Sequence, residues 1–299
     1  MKTHRTLFAL LLLATLAAAP AAADRQVDRT VPADPEATVE IELVSGDLTI
    51  EAWDRNEVRI TGTLGDDVEE LVVDGSGRRI TIEVEFPDRG GRSWRRDIDA
   101  DLEIFVPAGA RVEAESVSAS ISATGVRGQV ELSSVSGGLK VSGGGAALDL
   151  ETVSGSIMVR RSPVPVAAES VSGSIDLDGV RGRVEASSVS GRIEVRADQA
   201  DRIELEAVSG SIEFDGSLSG RARMDVSSHS GNVDVTLAGE VSADFDVSSY
   251  SGSIDNEFGP APRRESRWVP SKSVEFTVGA GDAQVTIETF SGSVRLRRR

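Results

Sequence analysis

The chain has 299 residues, with 49 acidic against 32 basic side chains and a formal charge of −17. A surface this acidic repels phosphate backbones and anionic headgroups, which excludes nucleic acid as a natural partner and disfavours an anionic membrane surface. With no cysteine, the chain has no disulfide, no thiolate metal site and no lipid-modified cysteine.

The N-terminus reads as an export leader over residues 1–23. Lys2 and Arg5 precede the apolar run Leu7 to Ala19, and Ala21-Ala22-Ala23 supplies small residues for cleavage. Cleavage there moves the net charge from −17 to about −19. The run is too short to span a bilayer, and no later stretch approaches the required ~18 apolar residues. The expected location is therefore the periplasm or the medium, with no transmembrane segment in the mature chain.

Residues 24–110 alternate apolar and polar side chains over Val39 to Ile50, Val58 to Gly62, Ile80 to Phe86 and Leu102 to Val106. They keep no strict period and read as an N-terminal β cap or degenerate rungs. From 111 to 299 a repeat takes over. Val-Ser-Gly-Ser-Ile or a variant begins at 117, 135, 153, 171, 189, 208, 229, 250 and 290, with spacings of 18, 18, 18, 18, 19, 21, 21 and 40. The last gap holds a Pro/Arg-rich insertion, 259–272, whose Trp268 is expected to cover the far end. A weaker copy, Val44-Ser45-Gly46-Asp47-Leu48, lies upstream.

Alignment on the first motif residue gives each position a role. Five before it stand Val112, Val130, Leu148, Val166, Val184, Ile203, Met224, Phe245 and Val285; four after it stand Ile121, Leu139, Ile157, Ile175, Ile193, Ile212, Val233, Ile254 and Val294. Apolar positions two apart describe strands with one buried face. Two strands per 18–21 residues leave no room for a crossover helix. Equivalent strands bury their apolar faces by stacking, which predicts an all-β, single-stranded parallel β-solenoid of about nine rungs. An antiparallel meander is the competing reading. Serine and glycine are expected to turn the chain at the corner, glycine through positive φ or tight geometry.

Gly46-Asp47-Leu48-Thr49-Ile50-Glu51-Ala52-Trp53-Asp54 with Val58-Arg59-Ile60, the strand Leu102 to Val106 followed by Pro107-Ala108-Gly109, and the Val-Ser-Gly-Ser-Ile repeats together resemble the bacterial putative-adhesin family of unknown function. The likeness covers essentially the whole mature chain. It implies an envelope or secreted β-solenoid with an adhesive or sensing role, and it brings no catalytic residues.

Enzyme chemistry finds no foothold. The only histidines are His4, in the leader, and His229, which occupies a motif column; the serines beside it recur in every rung. A nucleophilic serine needs a positioned base, and no nucleophile elbow is present. A carbohydrate-active β-helix enzyme needs carboxylates converging in one cleft, whereas here they fall in columns. Four before the motif lie Glu113, Glu131, Asp149, Glu185, Glu204, Asp225 and Asp246; two before it, Glu115, Glu151, Glu169, Glu206 and Glu288 interleave with serines. Both columns face outward if the apolar columns face inward. The favoured reading of the acidic stripe is a solvated face, its repulsion relieved by screening and by arginines such as Arg127, Arg181 and Arg183; the competing one is a linear track for Ca²⁺ or cationic partners. The Gly-Gly-x-Gly-x-Asp repeat of calcium-binding rolls is missing, so no metal or other cofactor is expected.

A second candidate surface is the motif's first column. Alternation would expose its valines, continuing into His229, Tyr250 and Phe290, while a bend before the corner would turn them inward; the bend is the favoured reading. The expected function is a non-catalytic, adhesin-like binding or structural module with an acidic face. The alternative is an envelope-stress sensor that captures cationic peptides. An envelope protein, a cationic peptide or a cell-surface ligand is the expected partner.

Overall fold

The alternation read from the sequence is realised as strand and burial. The structure, a computed structural model, describes residues 25–86, 98–264 and 270–299; the leader and Trp268 lie outside them. Its regular elements are 22 strands in one hydrogen-bonded sheet, with no helix among the described residues. No helix there is long and apolar enough to cross a membrane.

Each repeat contributes one strand before the motif and one after it. Arg111–Ser116 pairs in parallel with Val130–Ser134, then Leu148–Thr152, then Val166–Ser170. On the other side of the corner, Ser120–Thr124, Leu139–Ser142 and Ile157–Arg160 pair the same way. Farther along, Ile175–Ser188, Ile193–Ala207 and Ile212–Ser230 each run on through the second corner and serve both rows. Column residues pair with column residues: Val112 with Val130, Ile157 with Ile175, Ile203 with Met224. The apolar columns are buried between the two rows and form one continuous core. A side chain such as Ile157 or Ile175 contributes about 1.5–3 kcal/mol by leaving water, so a core of many small and β-branched residues suffices without many aromatics.

The ends depart from parallel pairing. At the N-terminal end, Arg25–Leu43 runs antiparallel to Glu57–Leu64, which runs antiparallel to Ala100–Pro107. The register of Arg25–Leu43 shifts between Ala33 and Thr38, where Pro35 has no N–H to give a neighbour. At the other end Lys272–Val278 lies antiparallel to Ala243–Ser251. Phe276 and Phe258 stack on Phe245 there, with ring centroids 4.7 and 5.5 Å apart.

The order of the last rungs differs from their order in the sequence. Ala283–Ser291 lies between Ile212–Ser230 and Ala243–Ser251, parallel to both. Val294–Arg298 likewise separates Val233–Leu237 from Ile254–Asn256. The final repeat is thus inserted one place inward. Ala243–Ser251 is held on both sides, by Lys272–Val278 and by Ala283–Ser291, and the four-residue link 279–282 crosses over its start. Ser242 Oγ, at that crossing, donates to Asp282 (2.6 Å) and accepts from the Ala280 N–H (3.0 Å).

The motif glycine is required for space. A Cβ on Gly137, Gly155, Gly173, Gly191 or Gly210 would stand 1.6–1.8 Å from the carbonyl oxygen of the residue one rung below. None of these glycines has positive φ, so of the two expected reasons tight approach is the operative one. The column then runs Gly210, Gly231, Gly292, Gly252, and each added Cβ would strike the glycine before it. This repeats the inserted order independently of the strand pairing.

Candidate binding groove

The corner hydroxyls are consumed by the scaffold. The buried Ser134, Thr152, Ser170 and Ser188 accept the N–H of the motif glycine three residues on, at 2.8–3.0 Å. The exposed Ser136, Ser154, Ser172 and Ser190 donate to the carbonyl of the preceding rung's valine at 3.2–3.4 Å. At the inserted rung the pattern lapses. Gly231 N–H turns to the Ser291 carbonyl (3.1 Å), and Ser228 Oγ and Thr289 Oγ1 stay buried without a partner among the described residues.

The first motif column faces solvent. Val117, Val135, Val153, Val171, Val189 and Val208 are each 47–50 % exposed, Tyr250 47 % and Phe290 51 %. This corrects the favoured expectation of an inward bend. Alternation continues through the valine, and the chain turns only at the glycine, which is buried. His229, Phe290 and Tyr250 complete the ridge in stack order. Phe290 sits in the middle, 4.9 Å from the His229 ring and 4.9 Å from the Tyr250 ring, nearly parallel to both. His229 makes no hydrogen bond to a described residue.

The two acidic columns differ in their neighbours. In the outer one, Arg111 holds Glu113 (2.5 Å) and reaches Glu131 (3.4 Å). Arg183 holds Glu185 (2.6 Å) and Arg223 holds Asp225 (2.7 Å). Asp149, Glu204 and Asp246 lie in the same column without an ion pair among the described residues. Of the arginines singled out in the sequence, only Arg183 serves this column; Arg127 approaches Asp54 at 3.9 Å, and Arg181 has no ion pair among the described residues. Arg111 and Arg223 were missed, although each stands two residues before its acid on the same outward face.

The inner column, Glu115, Glu151, Glu169, Glu206 and Glu288, is exposed and has no ion pair among the described residues. Partial desolvation at the groove wall, then the neighbouring charges of Asp149, Glu169 and Glu131, hold the Glu151 carboxyl above its ordinary value. This column, the Ser/Thr floor and the valine ridge form one open groove of about 1630 Å³ along the stack. Glu85 and Phe86 border it at one end and Lys272 at the other. From Val117 to Tyr250 it passes eight rung steps, about 38 Å at ~4.8 Å each. The groove thus joins His229, Tyr250 and Phe290 with the inner acids, while Glu113, Glu131, Asp149, Glu185, Glu204, Asp225 and Asp246 lie outside its lining. Among the described residues no three His, Asp or Glu side chains are grouped to hold a metal.

A family model described as Toastrack DUF4097 matches residues 23–237. The chain matches no curated protein. Among solved structures, it is similar to a putative adhesin of Bacteroides fragilis NCTC 9343, at 12 % identity over 92 % of this chain and 98 % of that one, with a TM-score of 0.46. It is also similar to putative adhesins of Parabacteroides distasonis ATCC 8503 (13 % identity, 91 % and 97 % covered, TM-score 0.36) and Parabacteroides merdae ATCC 43184 (13 %, 92 % and 99 %, 0.30).

Proposed function

The chain belongs to the Toastrack DUF4097 family, and from that premise we propose that it is a non-catalytic binding module of the cell envelope, adhesin-like in use. On this reading the stack is a β-solenoid exported by the 1–23 leader, with 24–110 as its cap and 111–299 as its repeats. The groove is the contact surface, and its partner is a polypeptide segment both cationic and apolar. The observation that carries this is the pairing of two banks: carboxylates without a counter-ion among the described residues on one side, an exposed apolar ridge on the other. Contiguous exposed apolar surface marks contact sites, and unpaired carboxylates supply charge complementarity and orientation.

The test is binding of fluorescently labelled oligolysine to the mature chain, followed by anisotropy at rising salt. Affinity should fall steeply with salt. It should be lost when Glu115, Glu151, Glu169, Glu206 and Glu288 are changed to Gln and kept when Glu113, Glu131 and Asp149 are changed. Loss only in the second set would move the contact to the outer column and refute the groove. An envelope sensor that captures free cationic peptides would use the same bank. Signalling to a membrane partner, absent from an adhesin, separates the two.

A further inference from the structure

The inner acidic column has a spacing as well as a charge. In stack order it reads Glu83, Glu42, Glu115, Ser133, Glu151, Glu169, Ser187, Glu206, Ser227, Glu288, Ser248. Glu83, Glu42 and Glu115 follow one another rung by rung, as do Glu151 and Glu169; toward the aromatic end the interval is regular. Glu115 to Glu151, Glu169 to Glu206 and Glu206 to Glu288 are each two rungs apart, about 9.6 Å at ~4.8 Å per rung. The last interval exists only because the final repeat is inserted; sequence order would place Glu288 three rungs from Glu206. The hydroxyls of Ser133, Ser187 and Ser227, between the carboxylates, have no hydrogen-bond partner among the described residues.

A polypeptide lying along the groove presents like side chains to one bank at an interval fixed by its conformation. A β-strand does so about every 6.7 Å. An α-helix does so about every 5.4 Å, or ~10.8 Å for two turns. A polyproline II helix does so at every third residue, about 9.3 Å. Over the two steps from Glu169 to Glu288 the polyproline II repeat misses by about 0.6 Å. The two-turn helix misses by ~2.4 Å, and the strand, which comes within ~0.9 Å of the far carboxylate after three repeats, misses the middle one, Glu206, by ~2.9 Å. Polyproline II also has no internal hydrogen bonds, so its carbonyls are free to accept from donors such as Ser187 and Ser227, and such helices dock on aromatic-lined grooves. His229, Phe290 and Tyr250 line this one.

We propose that the groove's partner is a polypeptide in the polyproline II conformation with Lys or Arg at every third position. This rests on the reading of the groove as the contact surface. The cations sit on Glu169, Glu206 and Glu288; Glu115 and Glu151 are one rung out of phase with that series and lie beyond the cations. The intervening apolar positions lie toward the valine ridge, and the Tyr250 end supplies the aromatic anchor.

The experiment compares two labelled 15-residue probes of one composition, five lysines and ten prolines. One is a repeat of Pro-Lys-Pro; the other has its lysines contiguous. The expected result is at least about tenfold tighter binding of the periodic probe at low salt. That preference should vanish in the folded E169Q/E206Q/E288Q variant, checked by its β circular dichroism. Equal affinity for both probes overturns the spacing inference and leaves the groove reading standing. Binding of neither probe, or binding of both that the three substitutions leave unchanged, overturns the groove reading with it.

Discussion

Gly173→Ala isolates what stacking demands of the motif. The added Cβ would lie 1.6 Å from the Gly155 carbonyl oxygen and 2.5 Å from its carbon, against the 3.0 Å below which real contacts essentially never fall. The obstacle is backbone, so the rung itself must lift. Hydrogen bonds beside the corner resist this: Ser172 N–H to the Val153 carbonyl is 2.9 Å, and Ile157 N–H to the Ser174 carbonyl is 2.9 Å. Overpacking costs about 1–3 kcal/mol, and one buried backbone group stripped of its partner costs ~1–3 more. The expected loss is therefore about 2–6 kcal/mol, a large share of the ~5–15 that holds a domain. Two other glycines separate space from conformation. Gly182 has φ of 73° and nothing within 4 Å of an added Cβ, so Gly182→Ala should cost only the left-handed strain of about 1–2 kcal/mol. Gly220 has neither constraint, so Gly220→Ala should stay within ~0.5 kcal/mol. Equilibrium urea unfolding of the three variants is the assay. Equal midpoints for the variants at 173 and 220 would refute the steric account of the column.

Three further outcomes follow from the geometry. Glu151→Gln should raise the urea midpoint near neutral pH and leave it unchanged in acid. The folded chain binds the Glu151 proton more tightly than the unfolded one, so its charge costs stability only as pH rises through the raised value; stabilisation greater in acid than at neutrality would contradict the assignment. His229 is the only histidine after the leader, so its ring protons give one NMR environment. Phe290→Ala should move those signals strongly and Tyr250→Ala weakly, and the reverse pattern would restore sequence order to the last rungs. Arg183→Ala removes an exposed pair and should cost less than about 1 kcal/mol in thermal or urea unfolding; a larger loss would mean that this pairing supports the stack.

The parts of the fold that follow from a single column were readable from the sequence. Val112 aligned with Val130, or Ile157 with Ile175, carries its burial in its own residue type, and the pairing matches the alignment. The order of the last rungs was not readable. Val285 satisfies its column whether it lies between Met224 and Phe245, as it does, or beyond Phe245, and the same holds for Ile287 and Val294 in theirs, so the repeat is blind to insertion. What holds the order is the non-repeat strand Lys272–Val278, pairing antiparallel with Ala243–Ser251. The valine ridge was ambiguous for a related reason. One residue type fits an inward bend or an outward alternation, and the position of the turn, at the glycine, decides between them. The two acidic columns looked alike in sequence because each alternates with apolar residues; Arg111, Arg183 and Arg223 pair with four acids of the outer one, and among the described residues none pairs with the inner one.

The most direct test of the groove is carbodiimide coupling of the periodic lysine–proline probe to the mature chain, with the joined residues read by mass spectrometry. Coupling concentrated on Glu169, Glu206 and Glu288, and suppressed by salt, is the predicted result. Coupling spread evenly over outward acids such as Glu113, Asp176 and Glu213 would contradict it.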